Sequence, residues 1–164
     1  MDNLKTIKTL IENSKRIVVF TGAGISVPSG IPDFRSASGL YNQKSGLKAT
    51  PEEIISHSFF LKNTEEFFQF YKEKMIFLDA KPNKAHNYFA ELECAEKQVT
   101  IITQNIDGLH RLAGSKDVLE LHGTIHRNYC IKCNKKFDLN SIIKQQGIPY
   151  CDCGGIIKPD VVLY

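Results

Sequence analysis

The chain has 164 residues, 42% of them apolar and 24% charged, and a formal net charge of +3. That length holds one ordinary core, or one core with a small satellite, and the composition is that of a soluble globular protein. The modest charge makes no case for nucleic acid as a partner, for which a clustered basic face is expected. No apolar run approaches a membrane span, so no membrane partner is expected either.

Met1-Asp2-Asn3-Leu4-Lys5 opens a polar segment without the apolar region of a signal peptide. Leu4, Ile7, Leu10 and Ile11 recur at helical spacing, which predicts a helix over 3–14 covering one sheet edge. The run Arg16-Ile17-Val18-Val19-Phe20 reads as a buried strand. It breaks into the stretch Thr21 to Arg35, T-G-A-G-I-S-V-P-S-G-I-P-D-F-R. Gly22, Ala23, Gly24 and Gly30 need little room, and a strand that turns into a helix there presents backbone N–H groups to a pyrophosphate. Val27 stands where the usual dinucleotide fingerprint has a third glycine, so the turn by itself equally fits a connection with no ligand. Asp33 and Arg35 are an unusual acid and base for such a loop, and Pro28 and Pro32 stiffen the path to them. Residues 36–49 are polar and small, and read as a lid or as an ordinary surface loop.

Thr50-Pro51-Glu52-Glu53 combines an N-cap, a proline at the first helical position and a capping-box acid, predicting a helix to about Leu61. A second helix starts at Thr64 and carries Phe67, Phe68, Phe70, Tyr71, Met75 and Phe77, either as core or as the wall of an apolar groove. A third starts at Asn83 with Ala85, Tyr88, Phe89 and Leu92 on one face; His86 reads as a surface or packing histidine and Cys94 as a small apolar residue. Val99-Thr100-Ile101-Ile102-Thr103 is a second buried strand, ending in Gln104-Asn105-Ile106-Asp107-Gly108-Leu109-His110. Ligands of open parallel sheets sit beyond the carboxyl ends of strands. Gln104, Asn105 and Asp107 are therefore placed to bind sugar hydroxyls or a carboxamide, or else simply to cap a helix. A third strand, Val118-Leu119-Glu120-Leu121, ends in His122-Gly123. A histidine at that sheet edge is a candidate general base near neutral pH. His57, His110 and His126 read as structural.

Cys130-x-x-Cys133 and Cys151-x-Cys153 are separated by 17 residues. Two close thiolate pairs can close a tetrahedral site around one zinc ion, and a site with four protein ligands is structural. A redox pair and an iron–sulfur site are the alternatives. The odd count of five cysteines, with four so arranged, points to a reducing compartment, hence the cytoplasm. Asp138 to Lys144 reads as a short helix inside the module, and Val161-Val162-Leu163-Tyr164 as a returning strand.

Together these motifs resemble the sirtuins, NAD-dependent protein-lysine deacylases. Gly22-Ala23-Gly24-Ile25-Ser26, Gly30-Ile31-Pro32-Asp33-Phe34-Arg35, Thr103 to His110, Leu121-His122-Gly123, the four cysteines and Lys158 to Tyr164 occur in the family's order. The resemblance implies an α/β fold: a Rossmann-like parallel sheet, here without its C-terminal part, with a helical insertion and a small zinc-binding module. It divides the chain into 1–38, the first part of the NAD-binding domain; 39–80, cofactor loop and helical insertion; 81–124, the NAD-binding domain continued; 125–158, the zinc module; and 159–164, the start of a returning strand. It implies NAD contacts from Gly22, Ala23, Gly24, Ile25, Ser26, Pro32, Asp33, Phe34, Arg35, Gln104, Asn105, Ile106 and Asp107. It makes His122 the base and Asn105 its catalytic partner, and gives Cys130, Cys133, Cys151 and Cys153 one structural zinc. In the implied reaction an acyl-lysine oxygen displaces nicotinamide from the ribose. His122 then deprotonates a ribose hydroxyl, and the acyl group passes to ADP-ribose.

Two departures qualify the implied activity. Sirtuins continue past the position of Tyr164 with the rest of the sheet, so the resemblance implies an incomplete core, exposed apolar edges and a complementing C-terminal half or other chain. The alternatives are a non-catalytic NAD- and zinc-binding interaction domain, or an ADP-ribosyltransferase or NAD hydrolase. Acidic-acyl sirtuins carry Tyr-x-x-Arg; this chain has Tyr71-Lys72-Glu73-Lys74, so acetyl-lysine is the expected substrate, with succinyl or malonyl as the alternative.

Overall fold

A computed structural model describes residues 3–42 and 48–164. The central part of the expected 36–49 lid, 43–47, lies outside the described residues. The chain begins with α1 (Asn3–Asn13), followed by β1 (Arg16–Thr21). Lys97 anchors the C-terminal end of α1, its ammonium donating to the carbonyls of Ile11, Glu12 and Ser14 at 2.7–3.0 Å. A cation at that end satisfies carbonyls that have no helical partner. Unlike the expected edge-covering helix, α1 buries none of its residues, and Leu4 is 78% exposed.

After β1 the backbone winds into a 3-10 helix, Ala23–Ser29, rather than an α-helix. Pro28 lies inside it, and Gly30 ends it at φ 88°, a left-handed value that suits glycine. The helix expected over 50–61 is two pieces, α2 (Pro51–Ile54) and α3 (His57–Lys62). Thr50 and Glu53 form the expected capping box, but Ser56 restarts the helix by accepting the Phe59 N–H at 3.2 Å. Next come α4 (Thr64–Lys74), α5 (Lys84–Cys94) and β2 (Gln98–Thr103). In α5 the buried positions are His86 and Ala90, whereas Ala85 and Tyr88 face solvent.

α6 (Leu109–Leu112) leads to β3 (Val118–Glu120). The three strands β1, β2 and β3 form a parallel sheet in that order, in register from Arg16↔Gln98 to Thr21↔Thr103. Strand alternation sends Val99, Ile101 and Val118 to one face, where Ile17, Val19, and Phe89 and Leu92 of α5 cover them. The opposite face leaves Val18 and Phe20 more than 60% exposed.

β4 (Gly123–Cys130), β5 (Lys136–Phe137), α7 (Asn140–Ile143) and β6 (Ile157–Val161) complete the chain. They form a second, antiparallel sheet in the order β5-β4-β6. The strand expected over 161–164 instead occupies Ile157–Val161 and pairs with β4, outside the parallel sheet. The aromatic helix is core: Phe60, Phe67, Phe68 and Tyr71 pack in one cluster with Ile125, Cys130, Ile142, Cys151, Ile157 and Val161. Helical insertion and cysteine module therefore share a single interior. Three of the ring pairs within it meet edge to face at 5.1–6.1 Å.

The two sheets meet at Glu120. Its carboxylate, 6% exposed, lies 2.7 Å from Arg127 and 3.6 Å from Arg111, and Arg127 reaches Asp160 at 3.1 Å. Gly123 lies three residues beyond, at φ 77°, where a Cβ would stand 1.9 Å from the Asp160 carbonyl oxygen. Gly123→Ala is expected to destabilise the fold by about 2 kcal/mol or more, through both the backbone conformation and the clash. A urea denaturation series in which the midpoint does not move would contradict this packing.

Candidate active site and metal centre

The strand-end turns are tied to each other by side chains. Ser26 Oγ donates to Asp107 Oδ2 at 2.6 Å. Asn105 Nδ2 donates to the Gly22 carbonyl at 3.2 Å and to Ser26 Oγ at 3.1 Å. Asp107 Oδ1 accepts the Leu109 N–H at 2.9 Å, which starts α6. Gly108 follows at φ 73°, with His126 so close that a Cβ would stand 2.6 Å from its ring. Asn105 and Asp107 thus order the local turn, as the capping reading expects, and in addition brace the glycine turn.

The segment beyond Pro32 folds back on itself. Leu40 and Tyr41 donate backbone N–H groups to the carbonyls of Asp33 and Phe34 at 2.7 and 2.9 Å. Asp33 Oδ1 accepts the Ser36 N–H at 3.0 Å, and the Phe34 and Tyr41 rings lie 5.2 Å apart. Gly39 is required by contact: a Cβ there would come within 2.8 Å of Asp33 Oδ1, Phe34 and Arg35.

These turns open onto a cleft of about 670 Å³. Ala23, Ser26, Pro32, Phe34, Arg35, Gln104, Asn105, Ile106, Asp107 and His122 all line it. Gly22, Gly24, Ile25 and Asp33 do not, and instead shape the turns behind its wall. Ile31, Leu40, Tyr41, Glu52, Met75 and Phe77 also face the cleft, although no motif in the chain marks them as cofactor residues. Burial, with Glu52 beside it, holds the Tyr41 phenol above its ordinary pKa, so it stays a hydrogen-bond donor. His122 Nε2 stands 2.8 Å from the Tyr164 hydroxyl, and the His122 carbonyl accepts the Val162 N–H at 3.0 Å. The cleft therefore combines hydrogen-bond donors, a carboxylate and a histidine with apolar walls.

Tyr71 does not reach this cleft. It is fully buried, stacked on Phe67 with ring centroids 5.7 Å apart, and its hydroxyl has no hydrogen-bond partner among the described residues. Lys74 does line the cleft, with its ammonium 2.9 Å from the Glu73 carboxylate.

The four cysteines converge on one point, their sulfurs all within 4.8 Å of one another. Cys130 and Cys153 approach to 3.4 Å, and Cys133 and Cys151 to 3.7 Å. Zinc–thiolate bonds of about 2.3 Å in a tetrahedron require sulfurs roughly 3.8 Å apart, so the donors fit zinc. Each pair is followed by a left-handed residue, Asn134 at φ 58° and Gly154 at φ 77°. Backbone bonds close these turns, Asn134 N–H to the Cys130 carbonyl at 2.9 Å and Gly154 N–H to the Cys151 carbonyl at 2.8 Å, and Lys132 N–H donates to the Cys130 sulfur at 3.4 Å. A Cβ on Gly155 would lie 2.5 Å from the Cys130 sulfur, so only glycine lets the backbone approach. Burial opposes ionisation of Cys130, but N–H groups of Cys133 and Lys132 and neighbouring thiols outweigh it and bring the thiol down to about 6. That favours the thiolate a metal needs.

A glycine turn and a strand-end histidine on one cleft, in a chain that also carries a four-cysteine cluster, define an α/β class with a parallel sheet and a metal-ligating module. The Sir2 family model matches residues 22–164, and the chain belongs to this family. It is 60% identical over its whole length to an NAD-dependent protein deacetylase of Clostridium tetani, and 46% identical to one of Staphylococcus epidermidis. It covers 67% and 66% of those proteins. Among solved structures, a Sir2 enzyme with a deacetylated p53 peptide and 3'-O-acetyl ADP-ribose superposes with a TM-score of 0.87 at 42% identity. A second, with p53 peptide and NAD, gives a TM-score of 0.82 at 41% identity. The chain covers 98% of itself in both superpositions, and 65% and 64% of those structures. It thus spans about two thirds of the length of its relatives. Among the described residues, no helix is long and apolar enough to cross a membrane.

Because the module shares its core with α3 and α4, metal loss is expected to reach beyond the module. Chelation, or Cys151→Ser, should lower the melting temperature by about 10 °C or more. Calorimetry paired with native mass spectrometry checks this; an unchanged melt of verified metal-free chain would remove the structural role.

Proposed function

We propose that this chain provides the cofactor-binding and general-base side of an NAD-dependent protein-lysine deacetylase. The observation that carries the reading is that ten of the residues implied by the family's motifs line one cleft, His122 among them. NAD bound there supplies an ADP-ribosyl group, with nicotinamide as the leaving group for an acyl-lysine oxygen.

The chain's own residues do the rest. The glycine turn, held by Ser26, Asn105 and Asp107, offers backbone N–H groups for phosphates, and Arg35 adds a cation. Asn105 and Asp107 present an amide and a carboxylate at the ribose and carboxamide end. Phe34, Ile106, Met75 and Phe77 exclude water from that end, which favours a charge-developing transition state held by fixed groups. His122 takes the proton from a ribose hydroxyl at Nε2, the nitrogen that meets Tyr164. The four cysteines would hold one zinc as a structural element, and none of them lines the cleft.

Acetyl-lysine in a protein or peptide fits best as substrate. Tyr71 is sealed in the core and Lys74 is neutralised by Glu73, so neither offers a free partner to an acidic acyl group. The remaining third of the relatives' length would supply further substrate and adenosine contacts, from this polypeptide or a complementing chain. A metal-thiolate module suits the reducing cytoplasm.

The deciding assay incubates zinc-loaded chain with NAD and an acetyl-lysine peptide, alone and with the remaining third of the Clostridium tetani relative added. Nicotinamide and deacetylated peptide should appear together, and His122→Ala should reduce both by about 10²-fold or more. Nicotinamide release without dependence on peptide would favour an NAD hydrolase. No turnover in either condition would overturn the reading.

A further inference from the structure

Behind the cleft, two histidines that its chemistry does not use are buried side by side. His86 is fully buried and His110 is 2% exposed. Their rings lie 4.8 Å apart at 61°. His86 occupies the third position of α5, and its Nδ1 accepts the backbone N–H of Asn83 at 3.3 Å. An acceptor at Nδ1 fixes the neutral tautomer with its proton on Nε2. That N–H has no hydrogen-bond partner among the described residues. His110 Nε2 meets Thr21 Oγ1 at 3.0 Å, and its Nδ1 is likewise without a partner. A proton on His110 Nδ1 would leave two buried donors side by side with no acceptor. The favourable arrangement has His110 Nε2–H donating to Thr21 and Nδ1 left as a lone pair beside the His86 ring.

Both rings are joined to the glycine turn. Asn83, whose own N–H is held by His86, donates through Nδ2 to the Ile25 carbonyl at 2.7 Å and to Ser29 Oγ at 2.9 Å. Thr21, held by His110, is the residue immediately before Gly22, and its carbonyl accepts the Gln104 N–H at 3.0 Å. The pair thus holds the turn at Thr21 and at Ile25 and Ser29, in addition to the bonds from Asn105 and Asp107.

We propose that His86 and His110 are positioning residues, a neutral imidazole pair with fixed tautomers that holds the glycine turn in register for the cofactor, His86 through Asn83 and His110 through Thr21. This rests on the NAD-binding reading of the cleft. Protonation of either ring undoes the arrangement. A proton on His86 Nδ1 would face the Asn83 N–H, donor against donor, and a proton on His110 Nδ1 would be a second buried donor without an acceptor among the described residues.

Asp107, on the turn after β2, is the charged group that acts on the pair; Phe89 of α5 packs on His110 at 6.3 Å, and Thr21 approaches from β1. Burial lowers the pKa of both rings, with Asp107 opposing it in part, and the neighbouring His86 helps bring His110 down to about 4. An unfolded histidine titrates near 6.5, so below that pH the unfolded chain binds more protons than the folded one. The pair's contribution to stability is therefore complete above about pH 6.5 and is lost as pH falls toward 4.

The test uses the ¹⁵N-labelled chain and its His86→Gln and His86→Leu variants. Glutamine at the third helical position can still close a capping box, whereas leucine fills the space without an acceptor. Long-range ring ¹H–¹⁵N correlations at pH 7.5 should show His86 as the Nε2–H tautomer and His110 Nδ1 unprotonated. Isothermal titration with ADP-ribose should show about tenfold weaker binding for His86→Leu and at most about threefold weaker for His86→Gln. The amide resonances of Ile25 and Ser29 should move in His86→Leu and stay in place in His86→Gln. An Nδ1–H tautomer at His86, or wild-type resonances and affinity in a folded His86→Leu, overturns the proposal. If the wild-type chain binds ADP-ribose neither alone nor with the remaining third of the Clostridium tetani relative added, the cofactor reading fails, and the tautomers and amide shifts alone decide the positioning role. Should His86→Leu not fold, the wild-type tautomers and the His86→Gln spectrum decide it.

Discussion

The hydrogen bond from Ser26 Oγ to Asp107 Oδ2 joins two turns that arise from different strands. Parallel pairing brings the ends of β1 and β2 side by side, but it does not fix how the chain leaves them. A hydroxyl donating to a carboxylate is a charge-assisted bond, stronger than one between neutral groups. Asn105 adds two donors to the same knot. With the turns locked, the polar rim of the cleft is set before any ligand arrives, so less ordering entropy opposes binding. The remaining walls are then placed by packing: the 33–41 fold-back on one side, and the start of β4, fixed by the Glu120 network, on the other.

Much of this was legible in the chain because the relevant signals are local. Thr50 and Glu53 announce their capping box, the β-branched runs announce β1 and β2, and the cysteine spacing announces a convergent sulfur set. What could not be read depends on groups far apart in sequence. The sharing of one interior by the 57–74 helices and the cysteine module is an example, since nothing local tells Phe67 that its neighbours are Ile142 and Ile157. Tyr71 is another. Its spacing from Lys74 fits a pair on one helix face, yet Tyr71 is sealed in the aromatic core while Lys74, the last residue of α4, lines the cleft.

The misplaced elements have equally physical causes. Val161 to Tyr164 looks like a strand by composition, but β4 offers its hydrogen-bonding edge four residues earlier, at Ile157↔Cys130. Pro28 within the glycine turn removes a donor and, with short helical length, favours 3-10 winding. His86 was assigned to surface or packing without a choice, because burial of a polar ring depends on whether a partner awaits it. Gly39 carried a signal that went unread: a glycine six residues beyond Asp33, in a stretch otherwise rich in serine, marked the close approach that folds the segment back.

The common interior of the helical insertion and the cysteine module has a mechanical meaning. Buried residues group on the parallel sheet and around the aromatic cluster, with a smaller group at Leu40, Ile54 and Phe70, and the cleft is a seam lined from both sides. Ile125 and Val161 belong to the cluster and also line the seam, whereas Asn105 and Asp107 extend from the sheet. A molecule bridging the seam would draw on contacts from both sides, and each side's resistance to opening would rise by the same linkage. Occupancy of the cleft would then act as a clamp across the line where the sheet and the aromatic cluster meet, a line already bridged by Ile106.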